Sequence, residues 1–218
     1  MLAGKALTRP RKKASQARSR ATVSAMVEAT ARILVRDGFD QASTNRIAEE
    51  AGVSIGSLYQ YFPSKEALVA AVIERHNDDL MRVVREAMAQ ARGEPLEIGI
   101  EKLVAAAIAA HRIDPALHRV LAEQTPRTGE LEGIEFFNRE ANSLFRAYLD
   151  DHRDALESLD LDMAAFVCVT SIEALTHTAV IHRPDILTDQ AVGRLMTETA
   201  RMVVGYLRPV QRRGKRVA

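Results

Sequence analysis

Residues 44–69 read TNRIAEEAGVSIGSLYQYFPSKEALV, and their spacing predicts two short helices joined by a tight turn. Gly52 ends the first helix, and the hydroxyl of Ser54 can cap the second. Pro63 stops the second helix, because its ring cannot continue the helix before it. Together with a supporting helix upstream, this order is the outline of a helix-turn-helix, which places its second helix in the DNA major groove.

The second helix carries small and polar residues on one side. Leu58 and Phe62 are four residues apart and are expected to pack inward. Gly56 costs about 1 kcal/mol relative to alanine in a helix, and close approach of a DNA backbone or base edge would explain that cost. Tyr59 offers a hydroxyl on a rigid ring, which suits a phosphate oxygen. The alternative is an ordinary helical hairpin in which Tyr61 and Phe62 fill the core.

Helical periodicity also dominates the rest of the chain, and no strand-like alternation persists. The predicted fold class is therefore all-α. Capping residues, glycines and prolines divide the chain into about nine helices, at about 22–37, 44–51, 54–62, 64–91, 95–112, 115–124, 134–155, 161–181 and 188–207.

Charge is concentrated at the two ends of the chain. The 218 residues include 30 basic and 29 acidic ones, a net charge of +1. The first twenty residues hold seven basic residues and no acidic one, and residues 208–218 hold five basic residues and no acidic one. Basic ends on an acidic body predict contact with a polyanion at particular places, although two solvated tails would give the same pattern.

Cysteine usage and hydropathy bear on the compartment. The single cysteine, Cys168, excludes an internal disulfide and fits a reducing cytoplasm. No apolar run approaches the roughly 18 to 20 residues that span a bilayer. The basic start is not followed by the apolar stretch of a signal peptide. We expect a cytoplasmic protein with no membrane partner.

The stretch 44–69 resembles the DNA-binding signature of the tetracycline repressor (TetR) family of bacterial transcriptional regulators. The resemblance covers about residues 22–70, and its matching features are Ile47-Ala48, Ala51-Gly52-Val53-Ser54, Gly56, Leu58-Tyr59, Tyr61-Phe62, Lys65 and Leu68. It implies an all-helical homodimer. The implied division is a basic flexible arm at 1–20, a three-helix DNA-binding domain at 21–70, a ligand-binding and dimerisation domain at 71–207, and a basic tail at 208–218.

The resemblance also implies roles for individual residues. Three would contact DNA phosphates: Thr44, Tyr59 and Lys65. Five would face the floor of the groove: Asn45, Ser54, Gly56, Ser57 and Gln60. Gln60 is the foremost reader of sequence, because its amide can pair with both hydrogen-bonding groups of adenine. Relatives often carry lysine or another polar residue where this chain has Ile55, which can touch a thymine methyl group but cannot donate a hydrogen bond.

The N-terminal arm would add contacts through Arg9, Arg11, Lys12 and Lys13, which could follow the DNA backbone or enter a minor groove. A solubilising disordered tail is the alternative for this segment. The C-terminal tail would lie far from the DNA.

The last two predicted helices are assigned to dimerisation. Helix 161–181 is apolar nearly all round, which indicates burial on every side in the assembled protein. Helix 188–207 carries one apolar stripe. By resemblance these helices pack on their copies in a partner, and the two-fold symmetry then requires a palindromic double-stranded DNA operator.

Polar groups on the apolar helices are candidates for binding a small-molecule effector. Glu173 and His177 are four residues apart, and His111 ends the helix at 95–112. Phe137 and Phe166 are candidates for lining an apolar cavity. The resulting hypothesis is an apolar or amphipathic effector, with no cofactor; an ordinary helical ion pair and plain core aromatics are the alternatives.

Two other classes of function compete with a regulator. An enzyme is disfavoured, because the sequence contains no HExxH, no phosphate-binding glycine loop, no Cys-x-x-Cys and no Gly-x-Ser-x-Gly. The second alternative is a helical ligand-binding dimer that does not bind DNA. In such a protein the second half of the chain would have the same role, and the N-terminal arm would have no role. A metal-sensing regulator would use His111, Glu173 and His177, although the prediction names no metal site.

Overall fold

A computed structural model describes residues 17–128, 131–156 and 159–208. The described residues form nine α-helices and two short 3-10 turns, without a strand. The α-helices are α1 (Ala17–Gln41), α2 (Thr44–Glu50), α3 (Ile55–Tyr61), α4 (Lys65–Ala91), α5 (Leu96–His111), α6 (Pro115–Thr128), α7 (Leu131–Asp150), α8 (Leu161–His182) and α9 (Asp189–Leu207). The predicted all-α fold with about nine helices is confirmed.

The helices group into two compact units. The first unit contains the residues up to Asp79 and the segment Asp114–Phe137. The second contains Leu80–Ile113 and the residues from Asn138 onward, so α4 contributes to both units. The domain boundaries predicted at residues 20, 70 and 207 stay predictions.

The turns of the first unit show why its helices begin and end where they do. Gly38, which interrupts α1, and Gly52 have φ angles of 77° and 67°, in the left-handed region that favours glycine. The hydroxyls of Ser43, Ser54 and Ser64 accept hydrogen bonds from the backbone N–H three residues later, at 3.3, 3.1 and 3.2 Å. The predicted capping of these helices is confirmed.

The core of the first unit holds α2 and α3 from behind. Its largest fully buried side chains lie on the first four helices and the turn before α4, and include Met26, Ile33, Leu34, Ile47, Leu58, Phe62 and Leu68. Leu117 and Leu121 of α6 belong to the same apolar cluster. A helix that follows α5 in the chain therefore completes the support of the helix-turn-helix.

Two buried histidines also join α4 and α6 inside this unit. His76 and His118 are each 8% exposed, and Nε2 of His76 lies 2.9 Å from Nδ1 of His118. One nitrogen must carry the proton and the other must offer a lone pair. The hydrogen bond therefore requires a proton on only one of the two facing nitrogens, and it links α4 to α6.

The second unit is built around α5, α8 and α9. Its most completely buried apolar side chains include Ile100, Ile108, Phe145, Leu149, Cys168 and Leu207. Burial raises the pKa of the Cys168 thiol to about 12, so this group behaves as a small core residue at neutral pH.

One face of α8 is exposed in the single chain, whereas the sequence predicts burial on every side in the assembled protein. Its residues Met163 and Phe166 are 56% and 57% exposed in the single chain. Among the described helices, α8 is the one long and apolar enough to cross a membrane by length and composition, which corrects the expectation that no stretch approaches that length. Core helices of soluble proteins meet the same test, and the exposed face of α8 lies beside buried neighbours in a folded unit.

α5 and α7 approach each other closely at Gly99. The hydroxyl of Tyr148 donates a hydrogen bond to the carbonyl of Leu96 at 3.2 Å. Burial, and then the charge of Glu97, raise the pKa of Tyr148 to about 12. A Cβ placed at Gly99 would lie 2.8 Å from Cζ of Tyr148 and closer still to its hydroxyl oxygen. The glycine therefore makes room for a buried, hydrogen-bonded tyrosine.

Candidate nucleic-acid interface

Two of the predicted phosphate-binding hydroxyls lie together. Thr44 begins α2 and Tyr59 lies on α3, and Thr44 Oγ1 is 3.0 Å from the hydroxyl of Tyr59. The Tyr59 side chain is 42% exposed. Each hydroxyl carries one proton, so while one donates to the other, the remaining proton of the pair can be donated to a phosphate oxygen.

The residues predicted to face the groove form the exposed side of α3 and the start of α2. Ser54, Gly56 and Gln60 are exposed, as is Asn45 on α2, and Ser57 is half-buried. The Ser54 and Ser57 hydroxyls are 2.9 Å apart and hydrogen-bonded to each other. Leu58 and Tyr61 turn inward, which agrees with the facing expected from the sequence for Leu58.

Gly56 has no neighbour within the described chain that requires a glycine. It lies inside α3 without a positive φ angle, and an added Cβ would meet only Ser54 Oγ at 3.9 Å. The space in front of this position is therefore open. The helical penalty of glycine has no explanation in the packing of the chain itself.

Lys65, predicted to contact a phosphate, already has an intramolecular role. Its Nζ donates a hydrogen bond to the carbonyl of Phe39 at 2.9 Å and lies 4.0 Å from the centroid of the Phe39 ring. This contact holds the start of α4 against the end of α1. The ammonium carries three protons, so it can keep this bond and still donate to a phosphate.

A network of exposed ion pairs, which the sequence reasoning missed, fixes α2 on α1. Arg32 pairs with Glu28 at 2.8 Å and with Glu50 at 3.1 Å. The hydrogen bond from Arg32, opposed by desolvation and reinforced by Arg36, lowers the pKa of Glu50. Arg46 of α2 pairs with Asp37 at 2.6 Å. Glu28 and Arg32 are four residues apart, a spacing that is visible in the sequence as a local helical pattern. The pairs that join α2 to α1 are nine to eighteen residues apart and show no such pattern.

The predicted arm residues Arg9, Arg11, Lys12 and Lys13 lie outside the described residues, as does most of the C-terminal tail. Arg208, the first residue of that tail, pairs with Glu97 at 3.2 Å.

Two predicted ligand-binding residues meet in the second unit. Nε2 of His111, at the end of α5, lies 3.4 Å from Oε1 of Glu173 on α8. The other ring nitrogen, Nδ1, donates to the carbonyl of Ala107 at 2.8 Å. Burial opposes the charged imidazolium, but the contact and charge of Glu173 outweigh it, and the pKa of His111 is raised. Burial lowers the pKa of the neighbouring His177.

Phe137 and Phe166 were predicted to line an apolar cavity. Phe137 is half-buried and groups with the first unit, and Phe166 is 57% exposed on α8. Within the part of the chain that the structure describes, no group of three or more histidine, cysteine or acidic side chains could hold a metal ion.

The His111–Glu173 pair makes the stability of the fold depend on pH. A raised folded-state pKa contributes stability that is present below the unfolded value of about 6.5 and is lost as the pH rises through the folded value. Glu173→Gln is therefore expected to lower the unfolding free energy by about 1 kcal/mol at pH 6, with a smaller loss at pH 8.5. Urea unfolding at several pH values measures this difference.

Glu198→Gln is the matched control for that experiment. Glu198 pairs with Arg201 on the surface of α9, and an arginine stays charged over this whole range. Its effect should be small and independent of pH. A loss for Glu173→Gln that is the same at pH 6 and pH 8.5 would contradict the assignment of charge to His111.

Two family models match the chain. The model described as bacterial regulatory proteins, tetR family, matches residues 26–72. The model described as the tetracyclin repressor-like C-terminal domain matches residues 95–207, more than half of the chain.

Curated relatives match only part of the chain. The HTH-type transcriptional activator FasR of Mycolicibacterium smegmatis is 43% identical over 60 residues, 28% of this chain and 27% of FasR. The nucleoid occlusion factor SlmA of Glaesserella parasuis is 31% identical over 85 residues, 39% of this chain and 41% of SlmA. The chain therefore spans well under half the length of these relatives.

Solved structures match over most of the chain. The fatty acid degradation regulator FadR from Bacillus halodurans has a TM-score of 0.67 at 20% identity, over 86% of this chain and 96% of FadR. A TetR family transcription regulator from Marinobacter aquaeolei has a TM-score of 0.62 at 21% identity, over 84% and 95% of the two chains. These similarities establish a shared fold.

Proposed function

We propose that this chain, which belongs to the TetR family of bacterial regulatory proteins, represses transcription from a palindromic operator and releases it when a small apolar or amphipathic molecule binds the C-terminal domain. Members of the family are soluble, generally non-enzymatic DNA-binding proteins that dimerise and bind small molecules, and this chain is a ligand-responsive DNA-binding transcriptional regulator. Repression, the palindrome, the kind of effector and a cytoplasmic location are the parts that we propose.

The observation that carries the DNA-binding proposal is the surface of α2 and α3. The hydroxyls of Thr44 and Tyr59 meet at 3.0 Å, beside the exposed residues Gly56 and Gln60. A hydroxyl pair suits a phosphate, and the open face next to it suits a groove floor. The same face would have no use in a helical ligand-binding dimer that does not bind DNA.

Selection from random double-stranded DNA tests this proposal. At about 150 mM salt, where non-specific backbone binding is weak, the purified protein should enrich a palindrome. Tyr59→Phe removes one phosphate contact and should weaken binding to the enriched duplex about tenfold, while leaving the unfolding free energy nearly unchanged. Failure to enrich any sequence would favour the ligand-binding dimer.

The exposed apolar faces of α8 and α9 support a homodimer through these helices. Met163 and Phe166 on α8 are 56% and 57% exposed, and Met202 and Tyr206 on α9 are 44% and 40% exposed. Large side chains exposed to this extent on two neighbouring helices are typical of a surface that a partner covers. By symmetry, the partner is a second copy of the same surface.

Phe166→Asp is expected to convert the dimer to monomers. A charge at the centre of an apolar interface is costly unless it is paired, and the two copies of the aspartate would repel each other. Sedimentation equilibrium measures the change in mass. Ile113→Asp is the control, because Ile113 is 56% exposed on the turn before α6 and belongs to neither α8 nor α9. Dimers that persist in Phe166→Asp would exclude this interface.

The effector site is proposed around His111, Glu173 and His177. The buried imidazole of His111, which lies beside Glu173, could bind the polar head of an amphipathic molecule. To lower DNA affinity 5- to 150-fold, the effector must bind the conformation that does not bind DNA more tightly than the DNA-binding conformation, by about 1–3 kcal/mol. A thermal-shift screen of lipophilic compounds, followed by operator binding at saturation, tests both halves of this proposal. In vitro transcription then gives the sign of regulation.

A further inference from the structure

The exposed face of α3 carries no charged side chain. Its seven residues, Ile55–Tyr61, are all uncharged. The commonest specific contact with guanine is a bidentate hydrogen bond from arginine or lysine to O6 and N7. α3 brings neither residue type to the groove. Two described cations on the helices next to α3 have partners within the protein, since Arg46 of α2 pairs with Asp37 and Lys65 of α4 binds the carbonyl of Phe39.

Most hydroxyls on this face are also engaged within the protein. Ser54 and Ser57 bond to each other at 2.9 Å, and Tyr59 bonds to Thr44 at 3.0 Å. The side-chain amide of Gln60 is exposed and makes no hydrogen bond with another described residue. An amide offers one donor and one acceptor side by side, the arrangement that matches N6 and N7 of adenine.

Gly56 leaves space for that contact. Gln60 lies four residues after Gly56, so the two positions share one face of α3. An added Cβ at Gly56 would meet only Ser54 Oγ, at 3.9 Å. A base edge can therefore come against the Gln60 amide without meeting a side chain at position 56.

Ile55 supplies the second, apolar element of this face. It is the first residue of α3 and is 38% exposed, with no hydrogen-bonding group in its side chain. The apolar feature that base pairs present in the major groove is the thymine C5-methyl group. An exposed isoleucine at the start of the helix is thus matched to thymine.

Given DNA binding as proposed above, we propose that α3 selects A·T base pairs, with Gln60 on N6 and N7 of an adenine and Ile55 against a thymine methyl group. Sequence readout by this helix then comes from one amide and one branched alkyl side chain. Affinity comes separately, from the phosphate contacts around Thr44 and Tyr59.

Base analogues in the selected palindrome test each contact atom by atom. Deoxyuridine in place of thymidine removes only the methyl group, and 7-deazaadenine in place of adenine removes only N7. At one position of one half-site, deoxyuridine should weaken wild-type binding about fourfold, the value of one buried methyl group, and should not weaken binding of Ile55→Ala. At another, 7-deazaadenine should weaken wild-type binding about fivefold and leave Gln60→Ala unaffected.

Tyr59→Phe is the control, because it should weaken binding to every duplex by the same factor and keep both analogue effects. Analogue effects that are equal in the wild type and in both alanine variants would overturn the proposal. So would a finding that Gln60→Ala loses its sequence preference at a position where the palindrome has a G·C pair, because Gln60 would then read that pair. If a palindrome is enriched but neither analogue effect depends on Ile55 or Gln60, only the proposal of A·T readout is excluded. A selection that enriches nothing removes it together with the DNA-binding function.

Discussion

Gly56→Ala is expected to make the protein more stable and less able to bind its operator. Alanine is favoured over glycine in a helix by about 1 kcal/mol, and the added Cβ has open space in the unbound protein. In the complex the same methyl group would occupy the space that a base edge or sugar needs. Overpacking of a close contact costs about 1–3 kcal/mol, so operator affinity should fall about tenfold or more.

Thermal unfolding and operator binding of one preparation measure both effects. Gly193→Ala is the matched control, because Gly193 is also a helical glycine at which an added Cβ would meet no heavy atom within 4 Å. It lies on α9, about half a turn around the helix from Met202 of the proposed dimer surface, so it should gain stability without losing affinity for DNA. If Gly56→Ala binds as tightly as the wild type, the DNA does not come close to α3 at this position.

Gly99→Ala is expected to have the opposite effect on the fold. The new methyl group would overlap the ring and hydroxyl of Tyr148, which is only 4% exposed and cannot move into solvent. Its ring lies between Phe145 and His152, at centroid distances of 6.0 and 4.7 Å. Strain of about 1–3 kcal/mol, together with loss of the bond to the Leu96 carbonyl, outweighs the gain in helix propensity. We expect a net loss of about 2 kcal/mol.

Urea unfolding measures that loss, again with Gly193→Ala as the control. Tyr148→Phe separates the two contributions, since it removes the hydroxyl that lies nearest to the new methyl group. The double variant should therefore lose less than the two single losses added together. Equal stability of Gly99→Ala and the wild type would mean that α5 and α7 separate easily at this point.

The fold was predictable wherever its cause is local. Gly52 and Ser54 predict the turn between α2 and α3, because a glycine with a positive φ angle and a capping hydroxyl act within three residues of their own position. The start of α1 at Ala17, rather than near residue 22, was not predictable from apolar periodicity, because its first turns are polar. The packing of Leu117 and Leu121 on the helix-turn-helix depends on contacts distant in the chain.

The candidate site also has features that the local sequence predicts and features that depend on residues distant in the chain. The exposure of Gly56 and Gln60 follows from their phase relative to the buried Leu58, which the sequence displays. The bond from Lys65 to the carbonyl of Phe39 cannot be predicted from the sequence, because the two residues are 26 positions apart. The pairing of Arg46 with Asp37 is equally hidden in the sequence, because the two residues are nine positions apart.

The place of α6 in the first unit limits how the DNA-binding part can be transplanted. A hybrid regulator that joined residues 17–79 to the rear of another protein would leave behind Leu117, Leu121 and His118. The apolar surface that they cover would then face water, and His76 would lose the histidine beside it. A portable version of this module has to carry α6 with it, as a second segment or through a rebuilt connection.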